Sequence, residues 1–186
     1  METKIILCGL GGQGVVFLTR LLAKTAIANG LPVMVSETHG MSQRGGSVIS
    51  HLKISGNQAP LIPHGTADIL IALETDEAVR NLPYLRSGGT AFVNAKNGLR
   101  SEVAGEVSRL ALDIHCVPAS QLAIELGAAA VANVVLAGFA AAHPKMPLSF
   151  ETLQETLKNI SKRGLELNLI ALETGYHAKK EQETKV

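Results

Sequence analysis

The stretch KIILCGLGGQGVV (residues 4–16) decides the fold. Its first part, KIILC, is a short apolar run ending at Gly9, the composition of a strand covered on both faces. Glycines 9, 11, 12 and 14 follow at once. From Val15 onward Val16, Leu18, Leu21, Leu22, Thr25 and Ala26 recur at three- and four-residue steps, which predicts a helix over 15–29, stopped by Gly30. A second strand at 31–36 (LPVMVS), entered through Pro32, completes the series strand, glycine turn, helix, strand. Such a series is a βαβ unit with a right-handed crossover.

The segment ETHGMSQRGG (37–46) has no apolar period and three glycines, so it is a loop. Residues 47–55 alternate Val48, Ser50, Leu52 and Ile54 against Ile49, His51 and Lys53, a strand with one less buried face. Buried-type strands are expected at 68–73 (DILIAL) and 89–94 (GTAFVN), joined through a helix near 75–82, and a last short strand at 114–117. Residues 121–127 and the Ala-rich 129–142 read as helices. Ser149 can cap a helix carrying Phe150, Leu153, Leu157 and Ile160 on one face; Gly164 closes it, and Leu165, Leu169, Leu172 and Tyr176 continue the pattern. With no internal repeat or long linker, the chain is expected to be a single α/β domain over 1–186. Its sheet would be mixed but largely parallel, in three Rossmann-like layers, with C-terminal helices at about 149–178 and a flexible, solvated tail (AKKEQETKV).

Composition excludes several classes of function. The 186 residues are 46% hydrophobic but only 3% aromatic, with eighteen glycines, so the apolar mass is small aliphatic residues. Seventeen Lys and Arg against sixteen Asp and Glu leave a charge of +1, without the basic face or the stacking rings that nucleic acid requires. The longest apolar stretch, 127–142, has sixteen residues. A membrane span needs about 20. The N-terminus lacks a signal-peptide pattern, and the expected location is the cytoplasm. Cys8 and Cys116 form no CxxC, so this chain alone cannot supply four thiolates to a zinc or iron–sulfur centre.

Two segments carry chemistry. Gly9, Gly11 and Gly14 form G-x-G-x-x-G between a strand and a helix, where the glycines allow close backbone approach and the helix N-terminus offers N–H groups to a phosphate. Glu37 lies about 20 residues further on, where dinucleotide sites place the acid that binds a ribose. On pattern alone a nicotinamide or flavin site is credible, although no dehydrogenase acid–base set follows. The second segment gathers Glu37, Thr38, His39, Ser42, Gln43, Arg44, Gly45 and Gly46 into one loop. If the first strands are parallel and adjacent, this loop and the glycine turn face one another at the carboxyl ends of the strands. Arg44 can grip a carboxylate or phosphate with two N–H groups, and His39 can donate to a carbonyl oxygen. No G-x-S-x-G elbow supports Ser42 as a nucleophile. His51, His64, His115, His143 and His177 are scattered singly and read as surface or structural residues, with no metal site expected. Cys8 reads as a core residue, and Asn133, an amide in an apolar helix, as either a ligand contact or a bridge to a loop.

The strings GLGGQGVV, SETHGMSQRGGSVISHLKI, APLIPHGTADILIALE and ANVVLAG, in order from about Ile5 to Gly138, resemble the gamma-type subunits of 2-oxoacid:ferredoxin oxidoreductases. The nearest pattern within that family is the beta subunit of its indolepyruvate branch. The resemblance implies one component of a complex that oxidatively decarboxylates a 2-oxoacid, an arylpyruvate in that branch, with coenzyme A to acyl-CoA, carbon dioxide and reduced ferredoxin. It implies that thiamine diphosphate, Mg2+ and iron–sulfur clusters sit on partner subunits. Gly11, Gly12, Gln13 and Gly14, with Asn133, would then meet coenzyme A or the partner. The loop from Glu37 to Gly46 would close the active site, with His39 and Arg44 as candidates for the 2-oxoacid. A stand-alone dinucleotide enzyme and a noncatalytic nucleotide-binding regulatory module remain as other readings of the same residues, and a homodimer of the isolated chain stays open.

Overall fold

The computed structural model describes residues 2–39, 45–56, 59–161 and 164–184, except for the side chains of His39 and of 179–184. Strand β1 (Thr3–Leu10) leads through the glycine turn into α1 (Val15–Ala28), which is followed by β2 (Val33–His39), β3 (Ser47–Ile54) and β4 (Ala67–Ala72). Next come α2 (Thr75–Asn81), a 3-10 turn at Leu82–Tyr84, β5 (Leu85–Asn94), α3 (Ala104–Arg109) and β6 (Asp113–Val117). Four further helices complete the described chain: α4 (Ala119–Glu125), α5 (Ala132–Ala141), α6 (Phe150–Ile160) and α7 (Leu165–Thr184).

The strands form one sheet in the order β2-β3-β1-β4-β5-β6. β1, β4, β5 and β6 run parallel, while β3 is antiparallel to both β1 and β2. The mixed, largely parallel three-layer reading therefore stands, with one change in its opening unit. β1 and β2 share a direction but are not neighbours, because the hairpin strand β3 is inserted between them.

Alternation along the central strands explains the layers. Ile5 and Leu7 of β1, with Ile69 and Ile71 of β4, enter the core under α1, α4, α5, α6 and α7. Ile6 and Cys8, with Leu70 and Ala72, enter the core under α2 and α3. Residues pointing to both faces are buried, which is why KIILC carries no polar alternation. Burial also pushes the Cys8 thiol well up, with the charge of Glu77 adding to the effect, as suits a core cysteine.

Two expectations change for local reasons. The less buried face of β3 is covered: His51 and Lys53 are 4% and 2% exposed. The segment after β3 folds over them, with the Ile62 N–H donating to His51 Nδ1 at 3.1 Å and Lys53 Nζ donating to the Ala59 carbonyl at 2.6 Å. Helix α3 was not legible in the sequence. It has six residues, a glycine inside and no side-chain cap, and it is held by Val103, Val107 and Leu110 packing on the α2 side of the sheet. At the C-terminus the Ser149 cap holds, its hydroxyl accepting the Thr152 N–H at 3.3 Å. Helix α7 runs past Ala178 to Thr184, so the expected solvated tail begins in helix.

Candidate functional site

The glycine turn is closed by the glutamine inside it. Gln13 Oε1 accepts the Leu10 N–H at 2.7 Å, and the Gln13 N–H donates to the Leu10 carbonyl at 3.1 Å. Gln13 therefore shapes the turn through its Oε1. Gly12 is exposed with φ 97°, and Gly14, with φ 84°, is the N-cap of α1 and brings no side-chain cap to the helix start. Asn133 resolves as the bridge: it is 4% exposed, and its Nδ2 donates to the Gly14 carbonyl at 3.2 Å. Its Oδ1 accepts the Val134 N–H at 2.9 Å. The amide ties the start of α5 to the start of α1.

A cleft of about 240 Å³ opens beside this turn, lined by Gly12, Gln13, Leu73, Asn94, Ser120, Ala129, Ala130 and Ala132. It lies at the carboxyl ends of β1, β4 and β5, where open α/β sheets bind ligands. The starts of α1 and of α5, with the 3-10 turn preceding α5, both bear on it, and none has an acidic residue in its first turn. Among the described residues, no charged side chain lines the cleft. Asn94 and Ser120 occupy each other: Asn94 Nδ2 donates to Ser120 Oγ at 2.7 Å, and the Ser120 N–H donates to Asn94 Oδ1 at 3.0 Å. What such a wall offers is backbone N–H groups and positive dipole ends, the arrangement that binds a phosphate or diphosphate. At that volume the cleft has room for only part of a nucleotide-sized ligand, since whole-ligand pockets span roughly 300–1,000 Å³. Sequence reasoning missed Asn94 and Ser120; a polar residue closing a buried strand, as Asn94 does, was the available signal.

The two chemistry-bearing segments do meet. The Gly11 N–H donates to the Gly46 carbonyl at 2.8 Å, joining the glycine turn to the exit of the 37–46 segment. The next residue is pinned too: Ser47 Oγ donates to Glu77 Oε2 at 2.5 Å, and Arg80 Nη1 donates to Glu77 Oε1 at 2.7 Å. Glu77 is 1% exposed, a buried anchor that sequence reasoning did not single out. Residues 40–44, and with them Ser42, Gln43 and Arg44, lie outside the described residues, as does the His39 side chain. Glu37, Thr38 and His39 end strand β2 and do not begin a loop; Glu37 and Thr38 are exposed and pair in register with Ser50 and Ile49.

This register corrects the dinucleotide placement of Glu37. The ribose-binding acid of such sites stands on the strand beside the glycine-turn strand. Here β3 intervenes, which puts Glu37 two strand spacings, about 10 Å, from β1. It is also level with Leu7, well before the turn. A second correction concerns the histidines. His115 and His143, expected to be isolated, converge with Asp113 at the opposite end of the sheet.

Comparison with known proteins follows the geometry. Residues 4–178 match the family described as pyruvate ferredoxin/flavodoxin oxidoreductase. The chain is 36% identical to the indolepyruvate oxidoreductase subunit IorB of Archaeoglobus fulgidus, over 95% of each chain. In fold it is similar to the keto/oxoacid ferredoxin oxidoreductase gamma subunit of Geobacter sulfurreducens, with a TM-score of 0.74, 22% identity and coverage of 96% of this chain and 99% of that one. It is also similar to the 2-oxoglutarate:ferredoxin oxidoreductase of Magnetococcus marinus, a structure with 2-oxoglutarate, coenzyme A and succinyl-CoA bound, with a TM-score of 0.77, 22% identity and coverage of 97% of this chain and 31% of that one. Among the described residues no helix is long and apolar enough to cross a membrane.

Proposed function

The chain belongs to the pyruvate ferredoxin/flavodoxin oxidoreductase family and is a subunit of a 2-oxoacid:ferredoxin oxidoreductase, and from that premise we propose that it supplies the coenzyme A-binding, active-site-closing surface of an arylpyruvate-oxidising complex. The carrying observation is the cleft at the strand ends, uncharged among the described residues, where the starts of α1 and α5 converge and the Gly11 N–H meets Gly46. A diphosphate fits there, and a cleft of that size takes part of coenzyme A while the remainder lies along a partner. The likeness to indolepyruvate oxidoreductase subunits supports an arylpyruvate as substrate.

Thiamine diphosphate with Mg2+ supplies the decarboxylating chemistry, and iron–sulfur clusters pass the electrons to ferredoxin, all on partner subunits. This chain's thiols do not fit a cluster of their own: Cys8 and Cys116 sit on β1 and β6, three strand spacings or about 14 Å apart. What this chain does is bind, orient and exclude water. The glycine turn presents backbone N–H groups to the diphosphate, and His39, the last residue of β2, and Arg44, in the sequence that follows it, are the residues assigned to the 2-oxoacid carboxylate. With four Phe and two Tyr in the whole chain, the pocket for the aryl ring belongs substantially to the partner.

The test is reconstitution with the thiamine-bearing subunit and assay of ferredoxin reduction with indolepyruvate, phenylpyruvate, pyruvate and 2-oxoglutarate, each with and without coenzyme A. Coenzyme A-dependent turnover of the aryl substrates, and none by the isolated chain, is the expected result. Preference for pyruvate or 2-oxoglutarate overturns the substrate; turnover indifferent to coenzyme A, with NADH binding to the isolated chain, overturns the role of the cleft.

A further inference from the structure

At the end of the sheet remote from the glycine turn, three side chains from two elements converge. Asp113 and His115, two apart on edge strand β6, share a face, and His143 follows the last turn of α5. His115 Nε2 lies 2.8 Å from Asp113 Oδ1, and His143 Nε2 lies 3.6 Å from Asp113 Oδ2. One nitrogen or oxygen from each of the three lies within 4.8 Å of the others. The imidazoles are held in place: their centroids are 4.5 Å apart, and the buried ring of Phe92 stacks on His115 and meets His143 edge-on.

We propose that Asp113, His115 and His143 form a binding site for a divalent transition cation of the Zn2+ class, with a fourth position open to water. A tetrahedral ion with bonds of ~2.0–2.1 Å holds its ligand atoms about 3.3 Å apart. Each imidazole Nε2 already faces an Asp113 oxygen, Oδ1 at 2.8 Å and Oδ2 at 3.6 Å, and one ligand atom from each residue lies within 4.8 Å of the others, so side-chain rotations that draw the three inward complete the geometry. Two imidazoles select Zn2+, Co2+ or Ni2+ over Mg2+ or Ca2+. The His143 N–H donates to the Ala140 carbonyl at 3.0 Å, so the site abuts the C-terminal turn of α5, whose dipole favours a cation.

Without the ion, Lys145 takes its place electrostatically, with Nζ 3.1 Å from Asp113 Oδ2. Lys145 is half exposed on a flexible stem and can move into water when a metal enters. The Lys145 N–H also donates to His143 Nδ1 at 3.2 Å, which puts the proton of the neutral ring on Nε2, facing Asp113. An ion on Nε2 moves that proton to Nδ1 and gives up this one long hydrogen bond. The site lies four residues, about 13 Å, along β6 from the cleft end, and it does not depend on the function proposed for the cleft.

The test is titration of the full chain with Zn2+ by calorimetry and with Co2+ by visible absorption. One ion per chain is expected, with Co2+ bands of a low-coordinate nitrogen and oxygen set. His115→Ala or His143→Gln should weaken binding more than about tenfold, at or beyond what loss of an outer-shell partner costs. Lys145→Met, a surface change that removes the competing ammonium, should tighten binding several-fold. His177→Ala, which breaks a separate histidine–carboxylate pair with Glu173, should leave affinity unchanged. No saturable binding, binding lost with His177→Ala but retained in His143→Gln, or affinity not raised by Lys145→Met overturns the proposal.

Discussion

Two glycine-dependent regions of this molecule are built on opposite requirements. Where α5 crosses α7, Gly138 and Gly175 are glycines because the neighbouring backbone fills the space of a Cβ: Leu172 O stands over Gly138, and Val135 O over Gly175. The two helices pack backbone to backbone, and this seam buries Val135, Phe139, Ala171 and Leu172. At the turn after β1, by contrast, Gly12 has nothing within 4 Å of where a Cβ would stand, and its glycine identity follows from φ 97° alone. Gly14 combines both demands, with φ 84° and the Asn133 side chain where a Cβ would go. One region uses glycine for packing, the other for an open surface of backbone N–H groups. Stability should reside in the first and ligand binding in the second.

Substitutions can break or sharpen that contrast. Gly138→Ala or Gly175→Ala should be the most damaging, at about 3 kcal/mol or more, because overlap with backbone cannot be relieved by a rotamer change. A clear fall in the urea midpoint is the expected readout, and a loss under about 1 kcal/mol would mean that the seam is looser than described. Gly14→Ala should cost about 2 kcal/mol, part from the left-handed backbone and part from the displaced Asn133. In a double-mutant cycle Asn133→Ala should recover the second part, and strict additivity would remove Asn133 from the account. Gly12→Ala should cost only about 1 kcal/mol, since there is strain but no clash. Gly105→Ala, inside α3 with open space around it, should instead stabilise by about 0.5–1 kcal/mol in thermal unfolding. That sign separates glycines the fold requires from one it merely tolerates.

The same contrast explains what was legible in the sequence. KIILC, the glycine turn and the α1 periodicity are local signals, and the strand–turn–helix they predict appears as β1, the turn and α1. The insertion of β3 between β1 and β2 was not legible, because strand order is decided by long-range pairing of segments that each look the same locally. Gly138 looked like one more small residue in an Ala-rich helix; its partner lies on α7 and no spacing announces it. At the site, the glycines were readable because positive φ and helix starts are local, whereas the meeting of Gly11 with Gly46, expected from adjacent parallel strands, instead continues the antiparallel β1–β3 ladder one pair beyond Leu10 and Ser47. Asn133 left two readings open until its distance to Gly14 was known. Glu77 was hidden because burial of an acid next to Ser47 depends on a contact thirty residues away in the chain.

The central claim is that the open glycine turn receives the diphosphate of coenzyme A in the assembled enzyme. Its most direct test is the KM for coenzyme A of the reconstituted complex carrying Gly12→Asp, which sets a carboxylate beside the proposed diphosphate. The account predicts a rise of at least tenfold in the KM for coenzyme A, with the KM for the 2-oxoacid little changed. An unchanged KM for coenzyme A in a correctly assembled complex would contradict it.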